Sequence, residues 1–189
     1  MDDLLEHCTL CPRRCGVNRS AGGRGFCGAG ATVRVARAML HRWEEPCLVG
    51  AHGAGAVFFA HCTLRCVYCQ NHEISHDGKG TKMDEEELAA CFLALERKGA
   101  ATLDLVTPTH YTPQILHALT LARARGLSIP VVWNTSGYET RENIARLAGA
   151  VDIYLPDLKY ESEESGRLYS AAPNYATAAW EALTAMVAQ

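Results

Sequence analysis

Three closely spaced cysteines directly after an apolar run constrain this chain more than any other feature. The run Gly55-Ala-Val-Phe-Phe-Ala60 leads into Cys62-Thr-Leu-Arg-Cys66-Val-Tyr-Cys69-Gln-Asn-His72, a C-x3-C-x2-C spacing. A strand that empties into such a loop can wrap three thiolates around one face of a cubane. Thiolates are the soft ligands that iron–sulfur clusters and zinc prefer. Three ligands rather than four leave one iron of a 4Fe–4S cluster open to a chelating small molecule, much as a catalytic zinc keeps an open position. A structural zinc knuckle completed by His61 or His72 is the alternative at this point.

Composition narrows the setting. The 189 residues suffice for one domain, and 48% hydrophobic with 21% charged residues is ordinary for a globular chain. A net charge of -3 gives no basic footprint for nucleic acid. No apolar run reaches the length of a membrane span, and the start Met-Asp-Asp-Leu-Leu-Glu is acidic rather than leader-like, so a cytoplasmic location is expected. Nine cysteines, an odd number, cannot all pair within the chain. They divide into an N-terminal set (Cys8, Cys11, Cys15, Cys27), the loop set, and the singles Cys47 and Cys91. Metal sites in a reducing compartment account for them better than disulfides.

Two regions follow: a Cys-rich segment with a short β extension over residues 1–53, and an α/β region over 54–189. The N-terminal segment has little apolar material, so metal is expected to hold it together. Its four cysteines match zinc or a second Fe–S cluster, and Arg13, Arg14, Arg19 and Arg24 are expected to keep the thiolates ionised. The alternation Ala31–Ala36 predicts a short strand. After it, His41 with Glu44 or Glu45 either approaches the cluster or a substrate, or forms a solvated turn.

From residue 55 onward the pattern alternates strand and helix. Strands are expected near 55–60, 102–107, 129–133 and 151–155. A helix starts at Asp84, with Glu87 completing a capping box, and stops at Gly99; Cys91 sits on its apolar face. Pro113 opens the next helix and Thr140 caps a third. Residues 160–173 read as loop, and a last helix presents Trp180, Leu183 and Val187 as its apolar face. About four βα units joined by right-handed crossovers predict an α/β fold with parallel strand pairing. The cysteine loop, Thr107-Pro-Thr-His110, Asn134-Thr-Ser-Gly137 and Asp157-Leu-Lys159 all fall after strands, where barrel enzymes place their chemistry.

The cysteine loop, with the aromatic Tyr68 before its third cysteine, resembles the signature of radical S-adenosylmethionine (SAM) enzymes. The resemblance implies a 4Fe–4S cluster on Cys62, Cys66 and Cys69. In that superfamily the open iron binds SAM, and an electron cleaves SAM to methionine and a 5′-deoxyadenosyl radical that abstracts hydrogen. The N-terminal cysteine motif resembles a group related to pyruvate formate-lyase activating enzymes. Asn134-Thr-Ser-Gly137 is similar to that family's Asp-Thr-Asn-Gly segment, and Asp152-Ile-Tyr-Leu-Pro-Asp-Leu-Lys159 to its Asp-Leu-Val-Met-Leu-Asp-Leu-Lys. By that resemblance Tyr68 packs near the adenine, Thr107 or Thr109 stands in for a Gly-Gly-Glu motif, and Asn134, Thr135, Asp157 and Lys159 meet the SAM carboxylate. The implied partners are a flavodoxin- or ferredoxin-type electron donor and a substrate, a glycyl radical enzyme among the choices. His61 replaces a usually small residue, and His110 either faces the cavity or caps a helix. The resemblance implies a partial (β/α) TIM-like barrel; the family's barrel holds more strand–helix units than the four found here, so the chain reads as C-terminally truncated. A non-catalytic Fe–S or zinc-binding remnant is the competing expectation.

Overall fold

The computed structural model describes residues 2–189. Six strands form one mixed sheet in the order β3-β1-β2-β4-β5-β6. These are β1 (Val33–His41), β2 (Ala54–Phe59), β3 (Thr81–Met83), β4 (Leu103–Val106), β5 (Val131–Thr135) and β6 (Ile153–Pro156). β2, β4, β5 and β6 are parallel and adjacent in chain order, whereas β1 runs antiparallel to both β2 and β3. The helices are α1 (Asp2–Glu6), α2 (Pro46–Val49), α3 (His72–Ser75), α4 (Glu85–Arg97), α5 (Thr112–Ala124), α6 (Arg141–Arg146), α7 (Glu163–Ser170) and α8 (Tyr175–Val187).

Alternation along the strands sorts the two faces of the sheet. Val57, Phe59, Leu103, Leu105, Val131 and Trp133 join one core with Leu88, Phe92, Leu95, Ile115, Leu119 and Ile144 from the helices. The intervening residues, among them Phe58, Asp104, Val106 and Asn134, therefore face the other way, into the concave side. Helices on one face, with strands in sequential order, describe an arc of a (β/α) barrel rather than a doubly wound sheet.

Local signals account for most boundaries. Asp84 accepts from the Glu87 amide while Glu87 accepts from the Asp84 amide, the reciprocal box expected at the start of α4. Cys91 lies partly buried against the helix-side core, as expected. Thr140 caps α6 through the Asn143 amide.

Three expectations are corrected. Residues 160–173 are not a loop but contain α7, capped by Ser162. A glycine at its centre and the lack of an apolar stripe on its buried side, which is Gly166 and Ser170, hid the helix; Gly166 is what lets it lie against Tyr175, 2.6 Å from where a Cβ would sit. In α8 the buried face is Tyr175, Ala178, Ala179, Ala182 and Met186, while Trp180 and Val187 are exposed. Small alanines allow close approach of α8 to α6 and α7, so bulk was a poor guide to which side faces inward. The third concerns β1, which is nine residues long and ends at His41, in register with Ala54 at the start of β2. That is the end of β2 opposite the cysteine loop, about 17 Å away at strand rise. His41 pairs with Glu44 at 3.6 Å there and does not approach the cysteines.

Candidate functional site

β2 delivers the cysteine loop. His61, in a left-handed conformation (φ 73°), turns the chain out of the strand, and its amide donates to the Ile74 carbonyl to close the loop. The end of α7 lies along the far side, where the Arg65 and Val67 amides donate to the Ser170 and Tyr169 carbonyls. Arg13, from between Cys11 and Cys15, completes the clamp. Its Nε donates to the Thr63 carbonyl at 3.0 Å, another guanidinium nitrogen reaches the Ser170 carbonyl, and its plane stacks 3.5 Å from the Phe26 ring. The segments of three separate regions thus hold one loop.

Cys62, Cys66 and Cys69 line a cavity of about 430 Å³, within the range of small-molecule sites. All nine cysteines are free. Burial pushes the Cys62 thiol up to about 12, so ligation has to remove its proton. Ser170 Oγ donates to Cys66 Sγ at 2.8 Å, and Ser75 Oγ lies 3.2 Å from Cys69 Sγ. Among the described residues, no three His, Cys, Asp or Glu side chains are gathered to hold a metal ion in the manner of a mononuclear site. The donor chemistry on this loop, three thiols spread along a cavity wall, suits three corners of a cluster.

The opposite wall comes from the ends of β4, β5 and β6. Thr107, Asn134, Thr135, Asp157 and Lys159 all line the cavity, and so does Tyr68. Gly137 (φ 75°) brings the β5 and β6 loops together, because a Cβ there would stand 2.6 Å from the Asp157 carbonyl oxygen. Tyr175 ties the same two loops. Its hydroxyl lies 2.7 Å from the Ser136 carbonyl oxygen and accepts from the Lys159 amide. Burial alone would pull the Lys159 pKa down, but the adjoining Asp157 carboxylate and the Cys66 sulfur outweigh it and keep the ammonium charged. Lys159 is therefore already paired before any ligand carboxylate arrives.

Two expected residues lie behind this wall. Thr109 is buried, and its hydroxyl donates to Glu139 at 2.6 Å rather than facing the cavity. His110 neither faces the cavity nor caps α5: its Nε2 lies 2.8 Å from the Ala60 carbonyl in a buried position. Thr135 shares the commitment of Thr109, since its hydroxyl also donates to Glu139. Sequence reasoning missed Glu139, Asp104, Tyr160, Ser170 and Tyr175. Only Asp104 carried a signal, as a lone charge inside the apolar strand Leu103-Asp-Leu-Val106. It lies beneath Asn134, whose Nδ2 is 3.5 Å from Asp104 Oδ2. Burial, then the neighbouring Glu44, pushes its carboxyl from 3.8 up to about 7.

Cys8, Cys11, Cys15 and Cys27 lie in one N-terminal segment, where the Cys8 amide donates to the Val17 carbonyl and the Gly16 amide to the Cys8 carbonyl, and Cys15 Sγ lies 3.9 Å from that same carbonyl. Among the described residues no three of them are gathered as a ligand set. At Cys11 and Cys27 the expected ionisation by arginines is opposed: burial raises Cys11 to about 12, and raises Cys27 against the pull of Arg19. Only Arg19 reaches a sulfur, 3.9 Å from Cys8; Arg13 is spent on the loop, Arg14 on Glu142 and Arg24 on the Gly28 carbonyl.

An arc of barrel whose first parallel strand delivers three cysteines, facing polar groups at the ends of the next three strands, defines a class of cluster-dependent barrel proteins. Residues 56–187 match the radical SAM superfamily, and the chain belongs to it. It is also similar to an uncharacterized protein, MJ0674, of Methanocaldococcus jannaschii, with 32% identity over 180 residues. That match covers 92% of this chain and 51% of the relative, so the chain spans about half the length of the curated relative it matches. The family implies a 4Fe–4S cluster and SAM as co-substrate. Among the described residues no helix is long and apolar enough to cross a membrane.

Proposed function

We propose that this chain is a radical SAM enzyme, with the cluster on Cys62, Cys66 and Cys69 and SAM in the adjoining cavity. The observation that carries the proposal is the meeting of all three loop cysteines with Tyr68, Asn134, Thr135, Asp157 and Lys159 around one cavity at the C-terminal ends of the parallel strands. When bound, the cluster supplies the electron for reductive cleavage of SAM to methionine and a 5′-deoxyadenosyl radical.

The protein's own residues do the rest. Tyr68 offers an aromatic face at the cavity mouth for the adenine. Lys159 offers a cation to the SAM carboxylate, sharing it with Asp157. Thr107, in a left-handed backbone conformation (φ 58°), turns the β4 loop into the cavity for the SAM amino group. Thr135 contributes position rather than a free hydroxyl. Apolar Phe58, Leu64 and Val106 exclude water from the reacting region. The cysteine-motif resemblance directs the radical at an unactivated C–H bond, as in activators of glycyl radical enzymes, with a flavodoxin- or ferredoxin-type protein supplying the electron. The N-terminal cysteines would hold zinc or a second Fe–S cluster beside Arg13 and so stiffen the clamp on the loop.

The test is anaerobic reconstitution with iron and sulfide, then dithionite and SAM, with assay for 5′-deoxyadenosine. Product that disappears in Cys66→Ala supports the assignment. Cleavage that persists in Cys66→Ala sinks it, and a reconstituted cluster with no product identifies a non-catalytic domain.

A further inference from the structure

Three hydroxyls run in file toward Cys66. Ser170 Oγ lies 2.8 Å from Cys66 Sγ, Tyr160 Oη lies 2.6 Å from Ser170 Oγ, and the Tyr68 hydroxyl meets that of Tyr160. Each hydroxyl carries one proton. A ligating thiolate carries none, so Ser170 has to donate to the sulfur. Ser170 then accepts from Tyr160, and Tyr160 accepts from Tyr68. Every proton in the file points toward Cys66.

Burial and backbone pairing keep the file in place. Ser170 is fully buried and Tyr160 nearly so, which leaves no water to compete for their hydroxyls. The Arg65 amide donates to the Ser170 carbonyl at 3.0 Å and the Val67 amide to that of Tyr169 at 2.9 Å, which pins the end of α7 on either side of Cys66. Cys66 is 104 residues from Ser170. Tyr68 forms the outer end, more than half exposed on the cavity wall.

Resting on the radical SAM reading above, we propose that Tyr68, Tyr160 and Ser170 form a hydroxyl relay that sets the reduction potential of the cluster through Cys66. Reduction adds negative charge, part of which resides on the ligating sulfurs. A donor aimed at sulfur stabilises the reduced state and raises the potential. Hydrogen bonds in series polarise one another, so the inner hydroxyl acts most strongly and the outer ones reinforce it. The relay brings the cluster into the range of a flavodoxin- or ferredoxin-class donor. These are positioning residues, and none of the three needs to touch the reacting carbon.

The test is an EPR-monitored redox titration of the reconstituted 189-residue chain, without SAM, in wild type, Ser170→Ala, Tyr160→Phe and Tyr68→Phe. All three variants should titrate below wild type, in the order Ser170→Ala furthest, then Tyr160→Phe, then Tyr68→Phe. Ser170→Ala should change the reduction equilibrium roughly tenfold, which is about 59 mV for one electron. Tyr160→Phe leaves Ser170 and the α7 backbone in place, so it decides the matter if Ser170→Ala loses the cluster. Wild-type potentials in Ser170→Ala and Tyr160→Phe would overturn the relay while the cluster and SAM cleavage stood. A larger effect from Tyr68→Phe than from Ser170→Ala would also overturn it. A wild-type chain that forms no reducible cluster overturns the radical SAM reading and the relay together.

Discussion

Glu139 and Asp104 are both buried carboxylates whose pKa burial raises, and they differ in how many donors each one meets. Glu139 Oε1 accepts from Thr109, Trp133 and Thr135, and its Oε2 accepts from Asn143, so one side chain joins β5, α6 and the turn after β4. Glu139→Ala strands those donors and should cost about 3–5 kcal/mol, read as a lower urea midpoint at unchanged slope. Asp104 has only one long hydrogen bond, and its Oδ1 has no partner among the described residues. Its folded pKa, about 7, lies above the ordinary value of 3.8, so the folded protein holds this proton more tightly than the unfolded chain. Below about pH 4 both states are protonated and there is no penalty. As pH rises from about 4 to 7 the folded state loses stability, by at most about 4 kcal/mol at 1.36 kcal/mol per pKa unit. Asp104→Asn should therefore melt well above wild type at pH 8 and close to it at pH 4.5. A gap of equal size at both pH values would reject this account.

At the scale of elements, the two loops facing the cysteines are held by a close backbone approach. Gly137 in its left-handed conformation lets the β5 loop pass within reach of the Asp157 carbonyl. Gly137→Ala forces the β5 and β6 loops apart and should weaken SAM binding roughly tenfold, about 1.4 kcal/mol, as measured by calorimetry on the reconstituted protein. Unchanged affinity would show that the loops do not form one wall. The short helix α7 works in the same way at the cysteine side. Ser162 starts it, and Glu163 accepts from the Ala176 and Thr177 amides, supplying α8 with the acceptor its own N-cap residue lacks. Glu163→Ala removes that cap and should destabilise the α7–α8 pair by about 1 kcal/mol. Hydrogen exchange should then quicken first at the α8 amides and at Arg65 and Val67, which pair with the end of α7.

At the scale of the whole molecule, the sheet is asymmetric. β1 and β3 finish one side, and on the other β6 is the last strand. Its inward residues Ile153 and Leu155 continue the concave face, so the edge carries both unpaired backbone groups and apolar side chains. The 189-residue chain should self-associate as its concentration is raised, seen as a concentration-dependent mass in light scattering, and Leu155→Lys should restore the monomer. A monomer throughout would show that this edge is protected.

Much of this molecule is legible residue by residue. The C-x3-C-x2-C loop, the Asp84–Glu87 box, Pro113 and Thr140 act over a few positions, so local chemistry alone marked the cysteine loop and the starts of three helices. The polar groups after each strand followed from barrel geometry, which places strand ends on one rim. What the sequence left open depends on contacts between distant segments. Thr109 turns away from the cavity because Glu139, thirty residues on, needs its hydroxyl. The Cys11 thiol is pushed up because burial desolvates it while folding sends Arg13, Arg14 and Arg24 to other partners. Helix α7 and the file of hydroxyls reach Cys66 only because the end of α7 packs along the loop. The cysteine loop is written in local spacing, whereas the environment of each of its thiols is set by whichever remote residue the tertiary fold brings beside it.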